Sequence, residues 1–431
     1  MRDMLEKDAF PIKLWYSVFI VVIKHAFMIN SADKTILRGL AEQYRQISDD
    51  TIQMPRRRAW SRLNSLLDHK PLIYVRAFAA KERADCKLTT TDPLARRMEN
   101  FFRYQLAWYG MGDDSIFEPY ITLPAVFAHA GWGYDVKLTR VDVEGGSFKA
   151  DYPIKDLNDL SGFVDPIHKI NEEKTLQMFE AANDAVGDIL PVAIDRTPFY
   201  TMWHGDIATD LGYLRGMENF MLDIMDYPDE LKRLCDRMGR GVLSVHEQAE
   251  KAGDWSLLSH RNQAMPYAEE LPWPAMDKPV KRKQLWGYMA SQEFALISPE
   301  HHDEFLLQYQ LPILKEFGLV AYGCCEDLTR KIDMLKQIPN LRRISVSPFA
   351  NVEKCAEVSN GQYVLSFRPR PAHLVGNNWK DVARHDLEKG IQTLKGTSFD
   401  ITLKDVETLE GDENRAKEWV RLARETIEKY G

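Results

Sequence analysis

Two adjacent thiols and a carboxylate stand at the end of one apolar run of the chain. The run LVAY (residues 319–322) leads through a glycine to Cys324, Cys325 and Glu326, and Asp327 is then the expected N-cap of a helix. In a parallel α/β fold, ligands and catalytic groups collect where strands end, because the loops there vary without disturbing the core. We therefore expect these three side chains at a functional site.

One chemistry open to this group is metal binding. Zinc accepts thiolate, imidazole and carboxylate ligands together, and a catalytic zinc site leaves one position free. The sequence offers His260, Cys324 and Cys325 as ligands, with Glu326 or Glu293 as the carboxylate. Such a site would bind a substrate thiol as a thiolate and make it a nucleophile. The alternative is core packing, since neighbouring strand residues point to opposite faces and free cysteines are often buried.

Other polar side chains follow other apolar runs. His204, close to Asp206, is a candidate general acid or base, although a histidine in an aromatic loop is also often a packed residue. The neighbours Gln292 and Glu293 are candidates for substrate binding and catalysis respectively. Arg368 is suited to bidentate binding of a carboxylate or phosphate, or to an ion pair at the rim of the sheet.

Composition bounds the class of protein. The 431 residues are 45% hydrophobic, which is ample for a large core, and the net charge is −8. Lysines and arginines are scattered, so nucleic acid is not an expected partner, and a small-molecule substrate is. The five cysteines are sparse, and the adjacent pair is poorly placed to bridge to itself, which favours a reducing, cytoplasmic compartment.

The pattern of strands and helices predicts the architecture. Strand-like runs separated by helical patterns occur at residues 71–78, 117–124, 190–198, 255–260, 284–293, 319–325, 342–348 and 363–371. Eight strands alternating with helices predict a (β/α)8 TIM-type barrel, with an open doubly wound sheet as the alternative. Ser298 and Pro299 open one of the helices, in which the tandem His301 and His302 are expected to face solvent.

The first residues stand outside this pattern. Residues 1–58 are predicted to form an N-terminal helical extension, and residues 59–431 the barrel domain. The apolar run at 14–23 ends at Lys24, short of the length a membrane span needs, so no span is expected. A docking helix, an artefactual upstream extension and an interfacial anchor are the alternatives for this run.

Several of these motifs resemble one superfamily. The 319–326 motif, the strand near residues 342–347, the segment FRPRPAHL (367–374) and the tail from Asp400 are similar to the uroporphyrinogen decarboxylase superfamily. The resemblance implies a (β/α)8 fold. It also implies either decarboxylation in tetrapyrrole metabolism or zinc-dependent methyl transfer with a corrinoid protein. Arg76 is the one arginine comparable to the substrate arginines of the decarboxylases, and Tyr322 stands where the methyltransferases carry a zinc-binding histidine.

Three functions follow as hypotheses. The first is a zinc-dependent methyltransferase that moves a methyl group between a corrinoid protein and a small substrate. In this interpretation His204, Glu293 and Glu326 are catalytic, and Arg76, Gln292 and Arg368 bind substrate. The second is a decarboxylase of uroporphyrinogen or another carboxylated substrate, and the third is a barrel that binds a ligand without catalysis.

Overall fold

Parallel strands form the centre of the molecule. Six of them make one sheet in the order β1–β10–β9–β8–β7–β6, every neighbouring pair being parallel, while β2 pairs with β5 in parallel and β3 with β4 as an antiparallel hairpin. The strands are β1 Leu72–Val75, β2 Ile121–Pro124, β3 Lys137–Arg140, β4 Phe148–Asp151, β5 Val192–Asp195, β6 Trp286–Met289, β7 Leu319–Tyr322, β8 Leu341–Val346, β9 Val364–Phe367 and β10 Phe399–Leu403.

This computed structural model describes residues 29–76, 79–129, 131–140, 148–276 and 278–431. The predictions made for residues 1–27 therefore lie outside the described residues. Within them, no helix is both long enough and apolar enough to cross a membrane. The α/β class is confirmed, with 48% helix and a six-stranded parallel sheet, but the strands of the described residues are not found to close into a barrel.

Helices separate most of the strands, and local sequence sets their ends. Asp92 caps the helix that Pro93 opens, and Asn171 and Asn351 cap two others through their side-chain oxygens. The α-helices are α1 Ser31–Ser48, α2 Gln53–Asn64, α3 Pro93–Tyr109, α4 Glu172–Val186, α5 Ala208–Leu214, α6 Met217–Asp226, α7 Pro228–Ala252, α8 Pro299–His302, α9 Gln308–Leu314, α10 Ile332–Leu335, α11 Val352–Ser359, α12 Trp379–Leu394 and α13 Arg415–Tyr430.

The strand predictions differ from the structure in two ways. The run at 255–260 is not a strand: a 3-10 turn covers Leu257–Ser259, because the hydroxyls of Ser256 and Ser259 cap each other's backbone. Strands β3, β4 and β10 were not predicted, and β10 lies between β1 and β9 in the sheet. The first and last predicted strands, which correspond to β1 and β9, are therefore separated by β10.

Two local predictions near β7 are also corrected. Asp327 does not cap a helix; its carboxylate accepts from the backbone N–H of Thr329 at 2.9 Å and from the hydroxyl of the same residue, and helix α10 begins later. His302 is fully buried rather than exposed, with its Nε2 3.0 Å from the hydroxyl of Tyr322. A histidine on the inner face of an outer helix can reach the sheet it covers.

A charged pair is buried inside the six-stranded sheet. The Arg343 guanidinium on β8 pairs with the Asp400 carboxylate on β10, and it also donates to Asn64 Oδ1 at 2.7 Å. Asp400 accepts further hydrogen bonds from Ser366 at 3.0 Å and Thr402 at 2.6 Å. Both members of the pair are almost completely buried, and they are hydrogen-bonded by Asn64 of α2, Ser366 of β9 and Thr402 of β10.

Candidate functional site

The carboxyl ends of the six parallel strands meet at one edge of the sheet, and charged and thiol groups gather there. Arg76 follows β1, Cys324 follows β7, Arg368 follows β9, and Lys404 and Asp405 follow β10. In the sheet β10 stands between β1 and β9, so the two arginines flank the strand that carries the lysine. Three cationic side chains and a thiol therefore come from four strands to one place.

Gly323 places the two thiols. Its φ of +95° is in the left-handed region, and a Cβ at this position would lie 2.5 Å from Leu328 Cδ1, so only glycine fits. The chain then turns so that Cys324 Sγ and Cys325 Sγ are 3.6 Å apart. The core-packing alternative predicted the two thiols on opposite faces, whereas the structure brings both to one ammonium group.

That ammonium is Lys404. Its Nζ is 3.1 Å from Cys325 Sγ and 3.5 Å from Cys324 Sγ, and it forms an ion pair of 2.6 Å with the Asp405 carboxylate. Lys404 is only 5% exposed and Cys324 3%, whereas Cys325 is half-buried. The contacts between the thiols and the lysine are thus sheltered from water.

The guanidinium group of Arg368 is only partly hydrogen-bonded by the described residues. One Nη donates to the carbonyl of Cys324 and the other to Gln263 Oε1 at 3.0 Å, while Nε has no hydrogen-bond partner among the described residues. The side chain is 1% exposed, so this N–H is not open to bulk water. A buried donor without a protein partner is costly, and an ordered water or a polar ligand atom would satisfy it.

Gln263 ties the two arginines together. Its Oε1 also accepts from Arg76 at 2.5 Å, and its amide group donates to the hydroxyl of Tyr288, which lies 3.3 Å from the Gly323 carbonyl. Gln263 and Asp405 both have a φ of +59°, a region that side chains other than glycine rarely adopt. Such backbone strain clusters at functional sites and is held there by the surrounding contacts.

The charges around Cys324 favour its thiolate. The hydrogen bond from the Cys325 thiol, together with the cations Lys404, Arg368 and Arg76, holds the pKa of Cys324 well below its ordinary value, against the effect of burial. The pKa of Cys325 is raised by its hydrogen bond to Cys324, by burial and by the neighbouring thiolate. Burial acts to lower the pKa of Lys404, but the charge on Cys324 raises it.

Glu326, a predicted catalytic residue, holds the backbone of the site. Its carboxylate accepts from the N–H of Cys324 at 2.8 Å and from the N–H of Ser291 at 2.9 Å. It is 2% exposed, and burial raises its pKa, with a further contribution from Cys324. The carboxylate therefore joins the loops that follow β6 and β7 and fixes the position of Cys324.

His260, a predicted zinc ligand, is engaged by the backbone. Its Nε2 is 3.1 Å from the Pro272 carbonyl, and its Nδ1 accepts from the N–H of Trp286 at 3.2 Å. Burial lowers its pKa to about 4. Neither ring nitrogen is left for a metal, and no group of three or more metal-ligating side chains occurs among the described residues. In this arrangement His260 has no ring nitrogen free for a zinc ion, and zinc binding by the thiols stays a prediction.

His204, Gln292 and Glu293 lie in the loops that follow β5 and β6. The His204 ring stacks on Phe199 at 4.4 Å, and its Nδ1 is 2.9 Å from Asp210. Gln292 and Glu293 begin a 3-10 turn, in which Glu293 packs against Gly212 of α5. His204 and Glu293 thus have contacts away from the thiols, and the predicted roles of all three residues stay predictions.

One buried carboxyl accompanies this second group. Burial raises the pKa of Asp206 well above its ordinary value, and the charge of Glu293 adds to the effect. Asp206 accepts from the N–H and the hydroxyl of Thr209, at 2.9 and 3.0 Å. The sequence suggested a pair between His204 and Asp206, and in the structure His204 Nδ1 lies 2.9 Å from Asp210 Oδ1.

Sequence reasoning missed Lys404, Asp405 and Gln263. The first two follow FDITL (399–403), an alternating run that reads as a strand once its neighbours β1 and β9 are known. Gln263 lies in an irregular loop, and nothing in the local pattern distinguishes it from other polar loop residues. Arg76 and Arg368, by contrast, were predicted to bind substrate, and the structure places both beside Cys324 through Gln263 and the Cys324 carbonyl.

Comparison with known proteins adds no family to this description. No model of a protein family matches the chain, and a search of curated proteins finds no similar one.

Proposed function

We propose that this protein is a group-transfer enzyme in which Cys324 is a thiolate nucleophile that acts on a small carboxylated substrate. The observation that carries the proposal is the convergence of Lys404, Arg368 and Arg76 around one buried thiol. A thiolate needs neighbouring cations to form in a buried site, and a carboxylate substrate needs cations to bind there. The unpartnered Nε of Arg368 is the donor we assign to the substrate carboxylate.

The reaction class follows from the nucleophile. The Cys324 sulfur attacks the carbonyl carbon of an acyl group as the bond to the leaving group breaks, and a second nucleophile then takes the acyl group from the thioester and releases the Cys324 thiolate. Methyl transfer with a corrinoid carrier, which the sequence resemblance implies, stays a prediction and would have to reach its acceptor without passing through Cys324, because an S-methyl thioether does not give up its methyl group. We infer no zinc-dependent step, because His260 has both ring nitrogens engaged.

The proposed scaffold is a closed barrel of the uroporphyrinogen decarboxylase type. Beyond β1, Asp113 and Asp114 accept from the N–H groups of Val75 and Ile73 at 2.7 and 2.8 Å, so the segment leading into β2 covers that edge. Beyond β6, the N–H of Arg261 donates to the Trp286 carbonyl at 3.1 Å. The Arg261 guanidinium pairs with Asp195 of β5 at 2.8 Å. These contacts support closure through β2, β5 and the segment around Arg261.

Alkylation with a charged and a neutral reagent tests the proposal. Iodoacetate carries a carboxylate and iodoacetamide does not, and mass spectrometry of peptides gives the rate for each cysteine. We expect the iodoacetate-to-iodoacetamide rate ratio at Cys324 to exceed that at Cys86 by about 10- to 100-fold, the value of one or two hydrogen bonds to a charged group. Cys86 is the internal control because it lies outside the cation group and burial raises its pKa to about 12.

Variants show whether the cations cause the preference. Arg368→Met should remove the preference for iodoacetate and leave iodoacetamide reacting, because the carboxylate loses its donor. Lys395→Met, which removes an exposed lysine before the start of β10, is the matched control and should retain the preference. An equal rate ratio at Cys324 and Cys86 in the wild-type protein would exclude an anion-binding thiolate site.

Decarboxylation is the second candidate, and the same three cations favour it. Cations that hold substrate carboxylates are needed for decarboxylation too, whereas a thiolate is not. Cys324→Ser therefore separates the two: it should abolish group transfer, measured with thioesters of small dicarboxylic acids and a panel of small acceptors. If Cys324→Ser kept carbon dioxide release from a carboxylated substrate, decarboxylation would be favoured instead.

A further inference from the structure

The two thiols of the site face each other across a short gap. Cys324 Sγ and Cys325 Sγ are 3.6 Å apart, and both lie within 3.5 Å of Lys404 Nζ. Cys325 Sγ is also 3.7 Å from the Asp405 carboxylate and is half-buried. Group transfer needs only the Cys324 sulfur, so it does not explain why the Cys325 sulfur lies beside it.

We propose that Cys324 and Cys325 form a redox-active dithiol, in which a hydroperoxide oxidises Cys324 and Cys325 then closes a disulfide with it. The inference uses the same nucleophilic sulfur as the proposed function, but it requires neither the substrate carboxylate nor the arginines. It rests on the approach of the two sulfurs, the cation beside them and the partial exposure of Cys325.

The chemistry balances with hydroperoxide as the only oxidant. The Cys324 thiolate attacks one peroxide oxygen, the O–O bond breaks, and hydroxide leaves with a proton to become water, giving a sulfenic acid. The Cys325 sulfur then attacks Cys324 sulfur: the S–S bond forms, the S–O bond breaks, and the sulfenic oxygen leaves as water with the Cys325 proton. Two thiols and one hydrogen peroxide thus give one disulfide and two waters.

Lys404 has a role in each step. Its ammonium, paired with Asp405, stabilises the thiolate before attack and the hydroxide that departs from the peroxide. Hydrogen peroxide is a small reagent, which suits a sulfur that belongs to a residue only 3% exposed. Cys325 then acts as the resolving thiol and protects Cys324 from further oxidation to a sulfinic acid.

The disulfide would be a labile one. Consecutive Cα atoms lie about 3.8 Å apart, below the range of about 4.4–6.8 Å that disulfide partners usually span. A bond closed at such a separation is strained and is reduced easily, as regulatory rather than structural disulfides are. Oxidation would consume the nucleophile, so it would switch group transfer off until a thiol reductant restores it.

Peptide mass spectrometry after peroxide treatment tests the inference. Both thiols lie in one tryptic peptide, residues 316–330, so the disulfide appears as the loss of two hydrogen atoms from that peptide. We expect this loss in the full-length protein at stoichiometric hydrogen peroxide, and its reversal by dithiothreitol. Cys355, which is buried beside Thr329, is the control thiol and should stay reduced.

The Cys325→Ser variant tests the inference independently of the mass change in the wild-type peptide. In Cys325→Ser the sulfenic acid of Cys324 cannot be resolved, so we expect trapping by dimedone and then sulfinic acid. Unmodified thiols, or sulfinic acid on Cys324 of the wild type without a disulfide, would overturn the inference. If no disulfide forms but Cys324 still prefers iodoacetate, the redox inference fails and the proposed function stands. If the disulfide forms but Cys324 shows no preference for iodoacetate, the proposed function fails and the redox inference stands.

Discussion

At the scale of single residues, Lys404 determines what the two thiols can do. It lies within 3.5 Å of both sulfurs and is almost fully buried, so its charge acts at short range and with little screening by water. The two arginines add positive charge, but Arg368 contacts the carbonyl of Cys324 and Arg76 contacts Gln263. The lysine is therefore the cation that most directly stabilises a thiolate.

Replacing this lysine should raise the pH at which Cys324 reacts. In Lys404→Met we expect the midpoint of the pH–rate profile for iodoacetamide alkylation to move upward by about one to three pH units. That shift corresponds to a loss of roughly 1.4–4 kcal/mol of interaction at close range. Lys395→Met is the control, and its midpoint should match the wild type. An unchanged midpoint in Lys404→Met would mean that another group stabilises the thiolate.

Sequence reasoning found part of the site and missed part for a physical reason. Cys324 and Arg368 could be predicted, because each directly follows an apolar run that ends at a strand terminus. Lys404 could not, because its importance depends on β10 lying between β1 and β9, a pairing across about 330 residues that no local pattern encodes. The role of Glu326 was also hidden, since its partners are backbone N–H groups.

At the scale of secondary structure, the turn after β7 presents the thiols. Gly323→Ala would place a Cβ 2.5 Å from Leu328 Cδ1 and force a left-handed φ on a side chain. We expect a loss of about 1–2 kcal/mol from the backbone and a further loss of about 1–3 kcal/mol from overpacking, measured by chemical unfolding. Gly396→Ala, with φ +83° and open space at Cβ, should show only the first loss. Equal losses would show that the turn tolerates the methyl group.

The buried pair between β8 and β10 is a second test at this scale. Arg343→Met leaves the Asp400 carboxylate buried without its cation, and we expect a loss of about 3–5 kcal/mol in the free energy of unfolding. The double variant Arg343→Met with Asp400→Asn should recover most of that loss, because the amide still accepts from Ser366 and Thr402. Arg342→Met removes a partly exposed pair with Glu270 and should cost about 1 kcal/mol or less. A small effect of Arg343→Met would show that the pair is not buried as described.

At the scale of the whole molecule, buried neutral histidines make the fold sensitive to acid. Burial lowers the pKa of His246 to about 3 and that of His260 to about 4, from an ordinary value of 6.5. Below about pH 6.5 the unfolded chain binds a proton on each of them while the folded chain does not. Their contribution to stability is therefore complete above pH 6.5 and is lost as the pH falls toward the folded pKa values.

We expect each of these histidines to account for a loss of about 2 kcal/mol of stability between neutral pH and about pH 5. Urea unfolding of wild type, His246→Gln and His260→Gln at a series of pH values measures this loss. In each variant the free energy of unfolding should fall less steeply with decreasing pH, by the uptake of one proton, whatever the absolute stability of the variant. His385→Gln, at an exposed position on α12, is the control. Parallel pH dependences in all four proteins would contradict the neutral buried state.

The α/β class was predicted correctly, whereas the set of strands was predicted only in part. The alternation of strands and helices correctly indicated an α/β fold with parallel strands, since periodicity is a local property. The run at 255–260 failed because Ser256 and Ser259 satisfy each other's backbone in a turn, a competition that apolar periodicity does not register. The proposed closure of the barrel would depend on contacts such as that of Arg261 with Asp195, which are decided by the whole chain.

The most direct measurement of the central claim is a pH titration of thiolate absorbance in the ultraviolet, taken as the difference between wild type and Cys324→Ser. The claim is that Cys324 is a thiolate at neutral pH because the hydrogen bond from Cys325 and the buried cations stabilise its charged form. We predict a thiolate signal in the difference spectrum already at pH 7, which disappears only on acidification below the ordinary range of a cysteine. A signal that appears only above the ordinary thiol pKa of about 8.5 would contradict the claim.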